Sequence, residues 1–422
     1  MEFIKGYRKF LHYRRHLLPM AFAVLAFLVA LVEVSRMSGI ISNCAHFISS
    51  PLVFSFFCLV PALAILESHR VSVNRILMLF CVVGAMSLIL NYKTLNYMPV
   101  LRFCFFCGMM CLFSPLVCNA SLSRFRHYLW SCALLLCRVG IILSLLLYVV
   151  TALTGEWGNL YLIFSHPMTL SMVAAIVAVV DSWQIAMADK TQHVAKTVFD
   201  IFSFIVAVVL MVWGGSRGAI LGFAIAELYL VFLLFRNRYG IARLLVALVA
   251  SFAIVLAIAG PITRKVELKF EIGRENNSLI FSRQQLWQSR LEEFADSPIF
   301  GIGFANATRF STLYDNQIVL APSADMTEEP GSSWLSVLSN TGIVGFAIMA
   351  FWNLYLFRVI RLRRRNGDLS AICHGALLLL LLVQGSFEGW VLYAGSIFFF
   401  LYWVLSSQIL KPQSLQPSNR LP

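Results

Sequence analysis

One group of residues with chemical potential lies in the turn Gly214-Gly215-Ser216-Arg217-Gly218. Glycines let backbone approach a ligand, and a helix that starts after them presents free N–H groups and a positive dipole end. Arg217 suits a phosphate there, because the planar guanidinium makes paired, charge-assisted hydrogen bonds. The alternative is an interfacial anchor, with the Arg217 stem lying along apolar surface. We predict an anion site at Arg217.

A second group lies on one predicted helix, across residues 283–295. Arg283, Trp287 and Arg290 recur at spacings of three and four, which puts them on one helical face. Two arginines flanking a tryptophan predict a second anion clamp, with Trp287 lining the same cavity. The alternative is a solvated amphipathic face.

The third group is the carboxylate pair Glu328 and Glu329, followed by Pro330 and Gly331. The proline keeps the preceding residue extended, and Ser332 or Ser333 can cap a helix that follows. A carboxylate at the mouth of that helix can act as a general base toward a hydroxyl group. Compensation of the helix dipole and simple solvation are the alternatives, and the sequence does not rank the two glutamates.

Further ionisable residues lie within or near apolar stretches, where such groups are usually paired or functional. Arg102 and Glu388 are predicted to line the same cavity, and Glu227 is predicted to pair with Arg138. The pair His166-Pro167 is predicted to mark a kink beside that cavity, with a packing role for the histidine as the alternative.

The elements that position these residues are membrane spans. The chain has 422 residues, of which 59% are hydrophobic and only 13% charged, which excludes a soluble globule. Apolar runs of about 17–25 residues match a hydrocarbon core roughly 30 Å thick. We predict about twelve spans, at 17–35, 47–66, 76–92, 99–118, 129–152, 160–181, 197–215, 218–235, 243–260, 334–357, 371–389 and 391–410.

The predicted fold is therefore an all-α integral membrane protein with one long periplasmic loop. Residues 1–260 hold nine spans, 261–333 form the loop with short helices, 334–410 hold three spans, and 411–422 form a cytoplasmic tail. Because a polar loop stands out in an otherwise apolar chain, we expect the chemistry at this loop.

The net charge of +13 reports topology rather than nucleic-acid binding, since no DNA-binding motif is present. Cationic residues gather in alternate short loops, which is the positive-inside pattern. Both termini are therefore predicted in the cytoplasm and the long loop outside. Cys104, Cys107 and Cys111 share a helical face, but nothing nearby completes a metal site, so we predict packing and no metal.

With these residues in view, the chain resembles the O-antigen ligase and polymerase superfamily of bacterial inner-membrane glycosyltransferases. The resemblance covers roughly residues 155–400. The matching pieces are Gly215-Ser216-Arg217-Gly218, Ser282-Arg283 followed by Leu286-Trp287, Ser297-Pro298-Ile299-Phe300-Gly301-Ile302-Gly303, and Ser333-Trp334-Leu335 running to Asn340-Thr341-Gly342-Ile343-Val344-Gly345.

The resemblance implies a GT-C-like fold and an inverting, metal-independent transfer without a cofactor. The donor would be a glycan on undecaprenyl diphosphate, and the acceptor a glycan or lipid A-core hydroxyl at the periplasmic face. Arginines matching Arg217 and Arg283 are expected to hold the lipid diphosphate, and Arg290 to assist them.

One departure from the family pattern is informative. Ligases typically carry a His-Asn pair four residues before the leucine that matches Leu335, whereas Gly331 and Ser332 stand there in this chain. The departure favours a repeat-unit polymerase or a divergent ligase, with Glu328 or Glu329 as the base.

Two other classes of protein fit the span count. A polysaccharide transporter or lipid flippase also needs about twelve spans and intramembrane charges, but has less need of one dominant outer loop. A structural partner in a polysaccharide assembly complex is the third possibility, and it would tolerate mutation of single arginines.

Overall fold

The computed structural model describes residues 23–32, 71–93, 97–153, 164, 166–188, 194–236, 241–257, 281–306 and 331–411. In these ranges we number the helices α1 Ala23–Val32, α2 Arg75–Leu90, α3 Tyr97–Phe113, α4 Ala120–Leu153, α5 Pro167–Met187, α6 Val194–Gly214, α7 Arg217–Arg236, α8 Ile241–Ala257, α9 Phe281–Asp296, α10 Ser333–Arg365, α11 Ser370–Gln384 and α12 Ile397–Ile409. Two short strands, β1 Ser72–Val73 and β2 Val117–Cys118, pair antiparallel.

The prediction of an all-α membrane protein is confirmed. Within the described ranges, five helices are long and apolar enough to cross a membrane, and six shorter helices are also apolar. Each of these overlaps a predicted span, while the predicted span 47–66 lies outside the described residues. The total of twelve spans stays a prediction.

Helix α5 lies in the centre of the bundle. Most of its residues are buried and the rest are half-buried, as expected for a helix surrounded by other helices. Small residues bring the neighbouring helices close: a Cβ on Gly222 of α7 would approach Leu380 of α11 within 2.9 Å, and one on Gly375 would approach the Tyr229 hydroxyl within 2.5 Å.

Three buried carboxylates, Asp181, Asp200 and Glu227, lie in this bundle near the half-buried Arg138. Arg138 of α4 pairs with Asp181 of α5 and lies 3.7 Å from Asp200 of α6. The predicted pairing of Arg138 with Glu227 is therefore wrong. Glu227 is only 6% exposed, and neither carboxylate oxygen has a hydrogen-bond partner among the described residues.

Helix α10 is kinked at Gly342, where φ is +66°. The turn that follows α9 fills the kink: a Cβ on Gly342 would collide with Ile299 O, and the amide of Ile343 donates to Pro298 O at 2.9 Å. This bond satisfies a backbone amide that the kink frees. Two segments that carry the family resemblance, 297–303 and 340–345, therefore meet in space.

Helix α2 fixes this junction from the other side. Ser87 Oγ donates to Asn340 O at 2.7 Å, and Asn91 Nδ2 donates to Gly301 O at 2.9 Å. Gly301 itself needs positive φ, at +76°, and leaves no room for a Cβ against the Asn340 backbone. The junction fixes the position of α9 relative to α10.

Candidate active site

An ion pair between Arg283 and Glu388 lies at the end of the bundle where α9 meets the transmembrane helices. Arg283 Nη2 donates to Glu388 Oε1 at 2.6 Å and lies 3.6 Å from Met168 Sδ at the start of α5. The side chains are 12% and 23% exposed, so a ligand can reach both. The pair joins α9, α5 and the segment that follows α11.

Ser333, the first residue of α10, holds the backbone of Glu388. Its amide donates to Gly385 O at 2.7 Å and to Glu388 O at 3.0 Å. Its hydroxyl donates to Glu388 O at 2.8 Å and accepts from the Trp390 amide at 2.9 Å. Non-helical backbone inside an apolar bundle needs such partners. One serine thus fixes the position of Glu388.

Gly331 and Ser332, at the positions of the family's His-Asn pair, have structural tasks. Gly331 has φ +67°, and a Cβ there would lie 2.6 Å from Leu286 Cβ. Its carbonyl accepts from Trp287 Nε1 at 3.2 Å. Ser332 caps α10, as one of the two predicted caps, by accepting from the Leu335 amide at 3.4 Å. A histidine does not fit at residue 331 without displacement of α9.

Arg217 is the exposed first residue of α7, after a turn at Gly215 with φ +65°. This turn packs closely against α5 and against the segment around Gln384 and Phe387. The Ser216 amide donates to Ser171 Oγ of α5 at 3.4 Å. A Cβ on Gly218 would lie 2.6 Å from Gln384 Oε1 and 3.0 Å from the Phe387 ring. Glycine is required for this approach.

The structure therefore brings the turn around Arg217 and the side chain of Arg283 to the same two segments. The start of α5 supplies Ser171 beside the Arg217 turn and Met168 beside Arg283. The segment 384–388 packs against Gly218 and pairs with Arg283 through Glu388. Their roles as diphosphate ligands stay predictions.

Arg290 lies deeper than Arg283 on α9. It is 5% exposed, and its Nη1 donates to Glu293 Oε2 at 2.9 Å and to Asn306 O at 3.3 Å. A buried pair of this kind is costly to break on one side. Arg290 thus ties α9 to the turn 301–306, and its predicted contact with diphosphate stays a prediction.

The residues predicted to line a cavity have different neighbours, and the cavity itself stays a prediction. Arg102 of α3 donates to Ala305 O at 3.1 Å, whereas Glu388 pairs with Arg283. Trp287 faces Phe387, with ring centroids 6.1 Å apart. His166 is exposed and caps α5, its Nδ1 accepting from the Met168 amide at 3.2 Å.

Two sequence predictions about these elements are wrong. Pro167 is the first residue of α5, so His166-Pro167 begins a helix and does not kink one. The predicted span 371–389 ends early, because α11 stops at Gln384 and a non-helical segment runs to Ser396. The predicted bases Glu328 and Glu329 lie outside the described residues.

Sequence reasoning missed the parts played by Ser333 and Phe387. The sequence predicts Ser333 only as a helix cap, whereas it anchors the non-helical segment. The signal that could have revealed Phe387 is the interruption Phe387-Glu388-Gly389-Trp390 between two apolar runs. A carboxylate followed by glycine there is unusual for a continuous span.

A comparison with protein families gives a match that covers both arginines. The family model described as O-antigen ligase matches residues 202–350. Residues 202–350 are therefore similar to an O-antigen ligase domain. The match supports the O-antigen ligase and polymerase superfamily for this chain. No curated protein matches the chain.

The matched region contains Arg217, Arg283 and Ser333, and it ends within α10. Glu388 lies beyond it and contacts it through Arg283 and Ser333. The chain is thus a multi-pass membrane protein in which a segment outside the matched region packs against that region.

Proposed function

We propose that this O-antigen ligase-type membrane enzyme transfers glycan from an undecaprenyl-diphosphate donor to a hydroxyl of an acceptor glycan, in surface polysaccharide biosynthesis. The observation that carries the proposal is that the turn around Arg217 and the side chain of Arg283, both within the matched region, contact the same two segments, the start of α5 and residues 384–388. A diphosphate is the ligand that two such arginines recognise best.

The donor would bind with its isoprenoid tail in the bilayer and its diphosphate between α7 and α9. Arg217 is exposed at a helix start, where the helix dipole adds positive potential. Arg283 is already paired with Glu388, so the arriving diphosphate would compete for its guanidinium. Positive charge at the leaving group stabilises the diphosphate as its bond to the sugar breaks.

The reaction we propose is a single inverting displacement. The acceptor oxygen forms a bond to the anomeric carbon while the bond from that carbon to the diphosphate oxygen breaks. The acceptor proton passes to a carboxylate acting as general base. The sequence predicts Glu328 or Glu329 for this role.

Metal independence follows in this proposal from the arginines, which supply the positive charge that a metal ion provides elsewhere. Gly331 supports a polymerase or a divergent ligase, because the site has no room for the family histidine at that residue. We place the enzyme in the bacterial inner membrane with both termini in the cytoplasm, as the positive-inside pattern predicts.

The test uses the full-length gene in a strain from which it has been deleted. Arg217→Ala and Arg283→Ala should each abolish surface polysaccharide while the protein level stays normal. Arg75→Ala, an exposed arginine at the opposite end of α2 from the Asn91 contact, is the matched control and should leave the polymer unchanged. Normal polymer in both arginine variants would refute the proposal.

Two further outcomes separate the remaining possibilities. Purified protein given lipid-linked repeats alone should make long chains if it is a polymerase, and should need added lipid A-core if it is a ligase. The deletion strain should accumulate lipid-linked repeats on the periplasmic side. Trapping of those repeats in the cytoplasm would identify a flippase instead.

A further inference from the structure

The last turns of α10, at the end opposite the candidate site, carry five arginines between 358 and 365. The helical period divides four of them into two sets, while the fifth, Arg364, is half-buried. Arg363 continues the buried face formed by Trp352, Leu356 and Ile360. Arg358, Arg361 and Arg365 are exposed on the other side.

Arg363 makes its hydrogen bonds within the fold. Its Nη1 donates to Gln408 O at 2.7 Å and to Ile409 O at 2.9 Å, at the end of α12. Its Nε donates to Asp368 Oδ2 at 2.8 Å. It therefore satisfies free carbonyls at a helix C-terminus, where a cation is also favoured by the dipole.

The exposed arginines continue an apolar stripe. Phe351 and Leu354 are 57% and 68% exposed, and the positions 351, 354, 358, 361 and 365 follow one another at spacings of three and four. Such positions share one helical face. The stripe, which we call the α10 stripe, is apolar over its first turns and basic over its last turns.

This order matches the profile of one leaflet of a bilayer. From Leu354 to Arg365 the helix rises about 16 Å, at about 1.5 Å per residue. That distance takes the stripe from acyl chains to the level of lipid headgroups, where arginines attract anionic lipids. Neighbouring arginines at spacings of three and four are close enough for two guanidinium groups to share one phosphate.

We propose that the α10 stripe binds an anionic phospholipid, with the headgroup phosphate on Arg358, Arg361 and Arg365 and an acyl chain on Phe351 and Leu354. The exposed apolar residues that adjoin the arginines favour a lipid over a free phosphate. Because the stripe lies at the other end of α10, this proposal does not depend on the glycosyl-transfer function.

The test is native mass spectrometry of the full-length protein in neutral detergent, titrated with phosphatidylglycerol or with phosphatidylcholine. The wild type should retain phosphatidylglycerol preferentially. Each arginine removed should weaken binding roughly fivefold, so that Arg358→Gln, Arg361→Gln and Arg365→Gln combined should weaken it on the order of a hundredfold.

The matched control combines Arg75→Gln, Lys93→Gln and Lys196→Gln, which remove three exposed cations from other parts of the fold. It should retain phosphatidylglycerol as the wild type does. Equal losses in both triple variants would show general charge attraction and overturn the site. An undiminished affinity in the α10 triple variant, with its thermal midpoint unchanged, would also overturn it.

A final set of measurements distinguishes binding of a whole lipid from binding of a phosphate group alone. Inorganic phosphate at the same concentrations should not displace the bound lipid, and Leu354→Gln should weaken lipid binding with all arginines in place. Displacement by inorganic phosphate, together with normal binding by Leu354→Gln, would identify a simple anion site and refute the lipid proposal.

Discussion

Replacing Gly331 with alanine tests how the site accommodates its departure from the family pattern. The change places a Cβ 2.6 Å from Leu286 Cβ, on a backbone whose φ is +67°. A non-glycine residue in the left-handed region costs about 1–2 kcal/mol. Overpacking against a fixed neighbour adds about 1–3 kcal/mol. The total destabilisation expected is about 2–5 kcal/mol.

Gly367→Ala is the matched control, because Gly367 has φ +86° and no atom lies within 4 Å of the place that its Cβ would take. Gly367→Ala should show only the destabilisation that comes from placing a non-glycine residue at positive φ. We expect the thermal midpoint of Gly331→Ala, followed by intrinsic fluorescence in detergent, to fall below that of Gly367→Ala. Equal midpoints would show that Leu286 does not block residue 331, and a family histidine would then fit there.

Three further predictions concern the ion pairs and their support. Ser333→Ala should cost about 1–3 kcal/mol, because the Trp390 amide loses its acceptor and the Glu388 carbonyl keeps only the bond from the residue 333 amide, and should lower transfer activity; unchanged activity and stability would contradict the anchoring role. Arg138→Met should destabilise by about 3–5 kcal/mol by leaving the Asp181 carboxylate uncompensated, and adding Asp181→Leu should recover part of the loss in the same melting assay. Arg283→Lys should keep the charge but lose the planar fork, so activity should fall roughly tenfold or more with normal protein level; wild-type rates would show that a point charge suffices.

The helical elements were predictable because their signals are local. The amphipathic period across 283–295 predicted α9, which spans Phe281–Asp296. The glycines around Arg217 correctly indicated a close backbone approach, which the contacts of Gly218 explain. Hydropathy likewise located the apolar helices within a few residues at most boundaries.

The arrangement of the site was not predictable in the same way. Ser333 binds Gly385 and Glu388, which are more than fifty residues away in sequence, and no local pattern encodes such a bond. The non-helical segment after Gln384 was missed because the apolar runs on both sides of the Glu388-Gly389 interruption fit spans by composition. The predicted partner of Arg138 was wrong for a related reason. Three buried carboxylates were available, and only the packing of the helices decides which of them pairs with Arg138.

The bonds made by Ser333 also have a mechanical consequence. Ser333 is hydrogen-bonded to the segment that carries Glu388, and the contacts at Gly331 and Gly342 hold α9 against α10, so we expect these parts to move as one unit. The starts of α5 and α7 form the facing unit, and Met168 and Gly218 make its contacts. A bulky lipid-linked substrate is then expected to enter by separating the two units at these contacts, with each unit internally unchanged.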